Sequence, residues 1–99
     1  LRVLVDLDKA ISLDHSNAYL YYNRANIYAL QKNYSKAIAD YDKAIDLDPR
    51  LAEAYYNRGL AYIYSKKTEQ GIKDLSKAGE LGLVDAYSAI KKYRPKKGK

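Results

Sequence analysis

A chain of 99 residues can form one continuous hydrophobic core but is too short for a second domain. It contains no cysteine, which excludes a disulfide framework and a thiolate metal site and leaves the redox compartment open. Residues 1–90 hold twelve basic and twelve acidic side chains, so the net charge of +6 comes from Lys91, Lys92, Arg94, Lys96, Lys97 and Lys99 and reads as a solvated tail rather than a nucleic-acid surface.

Residues 1–17 read as one amphipathic helix. Its Asp6, Asp8, Lys9, Ala10, Ile11, Leu13 and Asp14 recur 34 residues later as Asp40, Asp42, Lys43, Ala44, Ile45, Leu47 and Asp48. The segment is therefore expected to be the second helix of a preceding repeat whose first helix is absent, as in a fragment of a longer array. Val3, Leu4 and Leu7 would then face an empty flank, each forgoing roughly 1.5–3 kcal/mol of burial, and could mediate self-association.

Residues 18–51 form the first complete repeat. Tyr21, Ala25 and Tyr28 fall at i, i+4 and i+7 on one helical face, and Gln31-Lys32-Asn33 interrupts that pattern. Asn33 is placed to cap a second helix. This helix carries Ile38, Tyr41, Ala44, Ile45 and Leu47 on its apolar side, with Lys36, Asp40, Asp42 and Lys43 expected in solvent. Pro49 ends it.

Residues 52–85 repeat this segment without a gap, with 12 of 34 positions identical, among them Tyr22/Tyr56, Asn23/Asn57, Arg24/Arg58, Lys32/Lys66 and Asp40/Asp74. A period of that length marks a solenoid of stacked helical hairpins. Gly71 and Gly79 lie inside the second helix, where close helix contact is the expected reason, and Gly82 is a candidate C-cap. Residues 86–93 read as a capping helix with Asp85 as its N-cap and with Ala86, Ala89, Ile90 and Tyr93 laid over the preceding hairpin. Residues 94–99 read as a disordered basic tail. The composition includes twelve tyrosines and neither Phe nor Trp, so tyrosine has to supply the aromatic bulk of both core and surface.

Tyr21, Ala25, Tyr28, Ala37, Tyr41, Ala44 and Pro49 together resemble the tetratricopeptide repeat, and Tyr55, Gly59, Tyr62, Gly71, Leu75 and Ala78 follow the same pattern, with Leu83 where the proline would stand. The resemblance implies an all-α, right-handed α-solenoid of antiparallel helix pairs, about six helices in all, acting as a protein interaction scaffold without catalysis.

The residues offer little chemistry of their own. His15 stands alone in an inter-repeat turn, with no nucleophile or second ligand in view. The Asp runs lack the glycine and distal glutamate of a calcium loop. No glycine-rich phosphate loop is present, no cofactor or small-molecule substrate is expected, and no apolar run approaches the ~20 residues of a membrane span. No leader is visible, which leaves the compartment open with the cytoplasm as the default.

The resemblance further implies that the first helices line a concave groove. Position by position, this nominates Tyr19, Tyr22, Asn23, Asn26 and Leu30, then Glu53, Tyr56, Asn57, Leu60 and Tyr64, and finally Tyr87 and Lys91. Asparagine both donates and accepts, which suits it to an extended backbone, and tyrosine adds contact area at low entropic cost. Chaperone-binding members hold a carboxylate with a clamp of cations and asparagines. Here Asn26, Asn57 and Lys91 fall on clamp positions, but Tyr22 and Tyr87 replace its lysines, so the expected ligand is a neutral or mixed peptide segment of a partner protein. Two alternatives carry less weight: an RNA-binding helical repeat using the tyrosines for stacking, and a structural segment that assembles through its N-terminal helix.

Overall fold

The computed structural model describes residues 1–95. Six helices follow in order: α1 (Arg2–Leu13), α2 (Ala18–Leu30), α3 (Tyr34–Leu47), α4 (Ala52–Tyr64), α5 (Thr68–Glu80) and α6 (Asp85–Tyr93). Each helix packs most heavily on its sequence neighbours, α2 on α3 and α4 on α5, and the hairpins stack through α3 against α4. The result is an elongated body of 53 × 25 × 17 Å, the shape expected when each hairpin touches only the next.

The helix boundaries follow from local chemistry. Asn33 caps α3 as expected, its side chain accepting from the Lys36 amide at 3.3 Å, and Asn17 does the same for α2 through the Tyr19 amide at 3.0 Å. Lys32 and Lys66 both lie in the left-handed region, at φ 61° and 67°. There the Asn33 amide reaches back to the Tyr28 carbonyl and the Lys67 amide to the Tyr62 carbonyl, closing the ends of α2 and α4. Gly82, at φ 109°, gives α5 the same ending. At α6 the N-cap position belongs to Val84, which makes no side-chain capping bond, while Asp85 lies in the first turn. The expected Asp85 cap is therefore corrected, although its carboxylate still faces the positive end of the helix.

The core runs along the solenoid from Ile11 through Tyr21, Ala25, Ala37, Tyr41 and Ala44 to Leu51, Ala54 and Ala61, with Leu75, Ala89 and Ile90 closing the far end. Small residues dominate because helices approach closely. A Cβ on Gly71 would meet the Gly59 carbonyl oxygen at 2.6 Å as well as the Ile63 side chain, which explains both glycines at the α4–α5 crossing. On α1, Val3 is 42% and Val5 65% exposed, while Leu4 and Leu7 are half-buried, so the exposed apolar side chains of this flank are Val3 and Val5 rather than Leu4 and Leu7.

Asp40 is not a solvated charge. It is 8% exposed and receives a bidentate bond from Arg24, with Nε at 2.7 Å and Nη2 at 2.9 Å. Arg24 Nη1 also reaches Asp8 on α1 at 3.0 Å. The arrangement recurs one repeat later, where Arg58 grips Asp74 at 2.7 and 2.9 Å and Asp42 at 2.8 Å. Each arginine thus ties its own hairpin together and fastens it to the preceding second helix. These bonds hold the Arg24 and Arg58 guanidinium groups well above their ordinary pKa range.

Candidate functional site

A trough runs along the stacked first helices. Tyr22, Asn26 and Leu30 occur at i, i+4 and i+8 and form one stripe on α2, and Tyr56, Leu60 and Tyr64 form the equivalent stripe on α4. Between these helices lies a cavity of about 360 Å³. Asn26, Ala29 and Leu30 form one wall and Asn57, Leu60, Ala61 and Tyr64 the other, with Tyr34 and Tyr41 of α3 closing it. None of these nine residues carries a charge.

One end of the cavity is organised by a hydrogen-bond network. The Asn57 side-chain amide donates to Asn26 Oδ1 at 3.0 Å and to the Tyr22 hydroxyl at 3.2 Å, while the Tyr41 hydroxyl donates to the same Asn26 oxygen. Tyr41 is only 1% exposed, and burial pushes its hydroxyl pKa upward, which keeps it a donor. The Tyr22 ring stands between those of Tyr19 and Tyr41, with centroids 6.3 and 6.1 Å away.

A second cavity, of about 410 Å³, continues the trough. It shares Leu60 and Tyr64 with the first and adds Tyr56 with Asp85, Ser88, Lys92 and Tyr93 around α6. The rings of Tyr34, Tyr64 and Tyr93 form a chain with centroid steps of 5.8 and 6.1 Å. The Tyr64 and Tyr93 hydroxyls are 3.1 Å apart. Their shared hydrogen bond, with burial assisting, pushes Tyr64 up to about 12; the same bond, aided by Lys92, moves Tyr93 below its ordinary value.

The nominated residues do not all converge. Asn26, Asn57, Leu60, Tyr64 and Leu30 line the first cavity and Tyr56 the second, with Tyr22 bonded into the network. Tyr19, Asn23 and Glu53 are exposed and line neither cavity, although Tyr19 meets the edge of Tyr22. Tyr87 lays its ring over Gly79 of α5, and Lys91 is exposed beside it, so α6 presents Ser88 and Lys92 to the trough instead. Sequence reasoning also passed over Tyr34, which opens a second helix. The signal that could have found it is its position directly after the Asn33 cap, where a side chain reaches the adjoining first helices.

Hydroxyls, amides and rings can hold a ligand, but they form no nucleophile–base pair. Among the described residues no group of three His, Cys, Asp or Glu side chains lies close enough to hold a metal ion. No described helix is long and apolar enough to cross a membrane.

Comparison with known proteins fits this geometry. A TPR repeat model matches residues 25–65, and two tetratricopeptide repeat models match residues 7–39 and 52–81. The chain belongs to the tetratricopeptide repeat family. No curated protein sequence matches it. Among solved structures, the second TPR domain of human RPAP3, in complex with the HSP70 peptide SGPTIEEVD, is 29% identical with a TM-score of 0.88, over 96% of this chain and 81% of that one. MamA is 27% identical with a TM-score of 0.83, over 88% of this chain and 52% of its own. YrrB, described as a TPR protein with an unusual peptide-binding site, is 29% identical with a TM-score of 0.79, over 87% of this chain and 47% of its own. This tetratricopeptide chain thus spans about half the length of MamA and YrrB, and most of the RPAP3 domain.

Proposed function

We propose that this tetratricopeptide module is a scaffold that binds an uncharged peptide segment of a partner protein along the trough formed by α2, α4 and α6. The observation that carries this reading is the charge-free cavity between α2 and α4, walled by Leu30, Leu60, Tyr34 and Tyr64 and bordered by the Asn26–Asn57 network. A concave, mostly apolar surface with a few fixed polar groups is what a bound side chain and its backbone require. The RPAP3 domain, of the same fold, was solved holding a peptide. Tyr19, Asn23 and Glu53 would form the outer rim, with Tyr87 and Lys91 on the far side of α6.

A carboxylate-terminated ligand is a poorer fit. Tyr22 supplies a neutral hydroxyl where a cation would be needed, and the two Asn57 amide hydrogens are already engaged by Tyr22 and Asn26. An anion in the first cavity would lose its hydration without a counter-charge.

Selection of a random peptide library on the immobilised protein tests the reading, with Leu60→Arg as the comparison. Peptides enriched by the parent chain and at least about tenfold weaker on the variant are expected, since hot spots cluster in such desolvated pockets. A library that yields no binder, or binders indifferent to Leu60→Arg in a variant with unchanged helical circular dichroism, would overturn it.

A further inference from the structure

We propose that one long edge of the solenoid, built from the turns that join first to second helices, docks on an anionic lipid surface, a function separate from the peptide trough. The near-neutral body contains a separation of charge. Helices alternate in direction, so the ends of α2, α4 and α6 and the starts of α3 and α5 meet on one edge. There the rings of Tyr34, Tyr64 and Tyr93 touch in sequence, and Thr68 and Glu69 share a cavity with Arg94 and Pro95. This edge carries Lys32, Lys36, Lys66, Lys67, Lys92 and Arg94, all exposed, against the carboxylate of Glu69. None of these cations pairs with a carboxylate among the described residues. The opposite edge is acidic, with Asp14, Asp46, Glu53, Glu80 and Asp85 exposed against Arg50 and Lys77. Only the first edge is attracted to a polyanion.

The exposed apolar side chains beside these cations decide which polyanion fits. Each of the two turns repeats one device, an exposed apolar residue two positions before a lysine in the left-handed region. Leu30 precedes Lys32 and is 80% exposed, and Tyr64 precedes Lys66 and is 50% exposed. The Asn33 amide bonded to the Tyr28 carbonyl, and the Lys67 amide bonded to the Tyr62 carbonyl, hold both tips in place. A bilayer rewards this pairing, because the apolar side chain enters the acyl boundary while the ammonium group stays among the headgroups. A single-stranded nucleic acid does not. Leu30 offers no aromatic face to a base, and Tyr64 and Tyr93 stand edge to face with their hydroxyls bonded, so the row of rings gives bases no parallel platform.

Co-sedimentation of the full chain with vesicles of phosphatidylcholine, alone or with about one-third phosphatidylserine, tests the proposal. Binding is expected only to the anionic vesicles and should weaken as salt rises. A cation at an anionic leaflet is worth roughly fivefold in partitioning, so the double variant Lys32→Glu with Lys66→Glu is expected to bind at least about tenfold more weakly. Arg50→Glu with Lys77→Glu makes the same change of charge on the opposite edge and is expected to bind like the parent chain. Leu30→Gln, which keeps every cation, is expected to weaken binding about fivefold. Helical circular dichroism verifies each fold, and the milder Lys32→Gln with Lys66→Gln serves if the reversed pair unfolds. Equal weakening by the two double variants would show that net charge alone acts, and full binding by the first would assign it to the C-terminal lysines; either overturns the proposal. So would indifference to Leu30→Gln, or tighter binding to single-stranded RNA or polyglutamate than to the anionic vesicles. Lys32 and Lys66 line neither cavity of the trough, so the peptide reading stands or falls separately.

Discussion

Arg58 and Asp74 form a two-pronged bond across the α4–α5 hairpin, and Asp42 of the preceding repeat takes the remaining guanidinium edge. The same three-helix knot occurs at Arg24, Asp40 and Asp8. These planar forks fix the angle at which one hairpin meets the next, and that angle sets the spacing of Tyr22, Asn26 and Asn57 in the trough.

The two carboxylates on Arg58 differ in burial. The side chain of Asp74 is 10% exposed and that of Asp42 is 51% exposed. Asp74→Ala leaves a largely buried cation without its main partner and should cost about 3 kcal/mol, whereas Asp42→Ala removes a solvent-screened contact and should cost under about 1 kcal/mol. Urea denaturation of both variants checks this. Equal losses would show that the two bonds do not divide the work as their burial implies.

Lys32 and Lys66 adopt left-handed conformations that cost a side-chain-bearing residue roughly 1 kcal/mol. Glycine is free of that cost at a helix ending of this type, but it adds entropy to the unfolded chain. Lys66→Gly is therefore expected to stabilise the protein by about 0.5 kcal/mol, and Lys32→Gly by a similar amount, with roughly additive shifts in the urea midpoint. A destabilised Lys66→Gly would mean that the lysine stem contributes packing that outweighs its backbone strain.

The helix count was legible because a 34-residue period survives in residue identities, and the Asn33 cap was legible because capping is local chemistry. The fate of Asp40 was not. An aspartate within a helix reads as a solvent charge until its partner is found 16 residues upstream, although Arg24/Asp40 and Arg58/Asp74 recur with the same separation. The phase of α6 was hidden for another reason. In a nine-residue helix the pattern of Ala86, Ala89 and Ile90 identifies the buried side, but tertiary contact decides whether Tyr87 and Lys91 or Ser88 and Lys92 face the trough. The apolar character of the trough was visible in Leu30, Leu60 and Tyr64. Tyr34 became part of it only when two second-helix tyrosines closed the cavity from behind.

Gly71 and Gly79 provide a matched contrast. Both lie within α5, so alanine would gain about 1 kcal/mol of helix propensity at either position. At Gly71 the new methyl meets the backbone oxygen of Gly59 at 2.6 Å and also strikes Ile63, neither of which can retreat without moving α4. Gly71→Ala is expected to destabilise by about 1–3 kcal/mol. At Gly79 the obstacle is the far end of the half-exposed Tyr87 ring, which can swing into solvent, so Gly79→Ala should be close to neutral. Thermal melting of the two variants checks the contrast, which fails if they lose stability equally.

Tyr41 links the core to the trough, and its buried hydroxyl has a pKa raised by desolvation above the ordinary value near 10. Below that value both folded and unfolded chains are protonated, and the stability due to this group is fully present. Above about pH 10 the unfolded chain releases the proton while the folded chain retains it, so the unfolded state binds fewer protons and stability falls with rising pH. The slope approaches about 1.4 kcal/mol per pH unit for one such tyrosine. The hydrogen-bonded pair of Tyr64, raised, and Tyr93, lowered, contributes in opposite directions, so Tyr41 dominates the decline. Tyr41→Phe removes one donor from Asn26 and should cost about 1 kcal/mol at neutral pH, but it should also flatten the alkaline decline. Urea midpoints measured from about pH 8 to 11 should therefore converge between the parent chain and Tyr41→Phe as pH rises. Parallel curves would mean that the Tyr41 hydroxyl ionises as readily in the fold as in the unfolded chain, and the closed end of the trough would then be wetter than its geometry indicates.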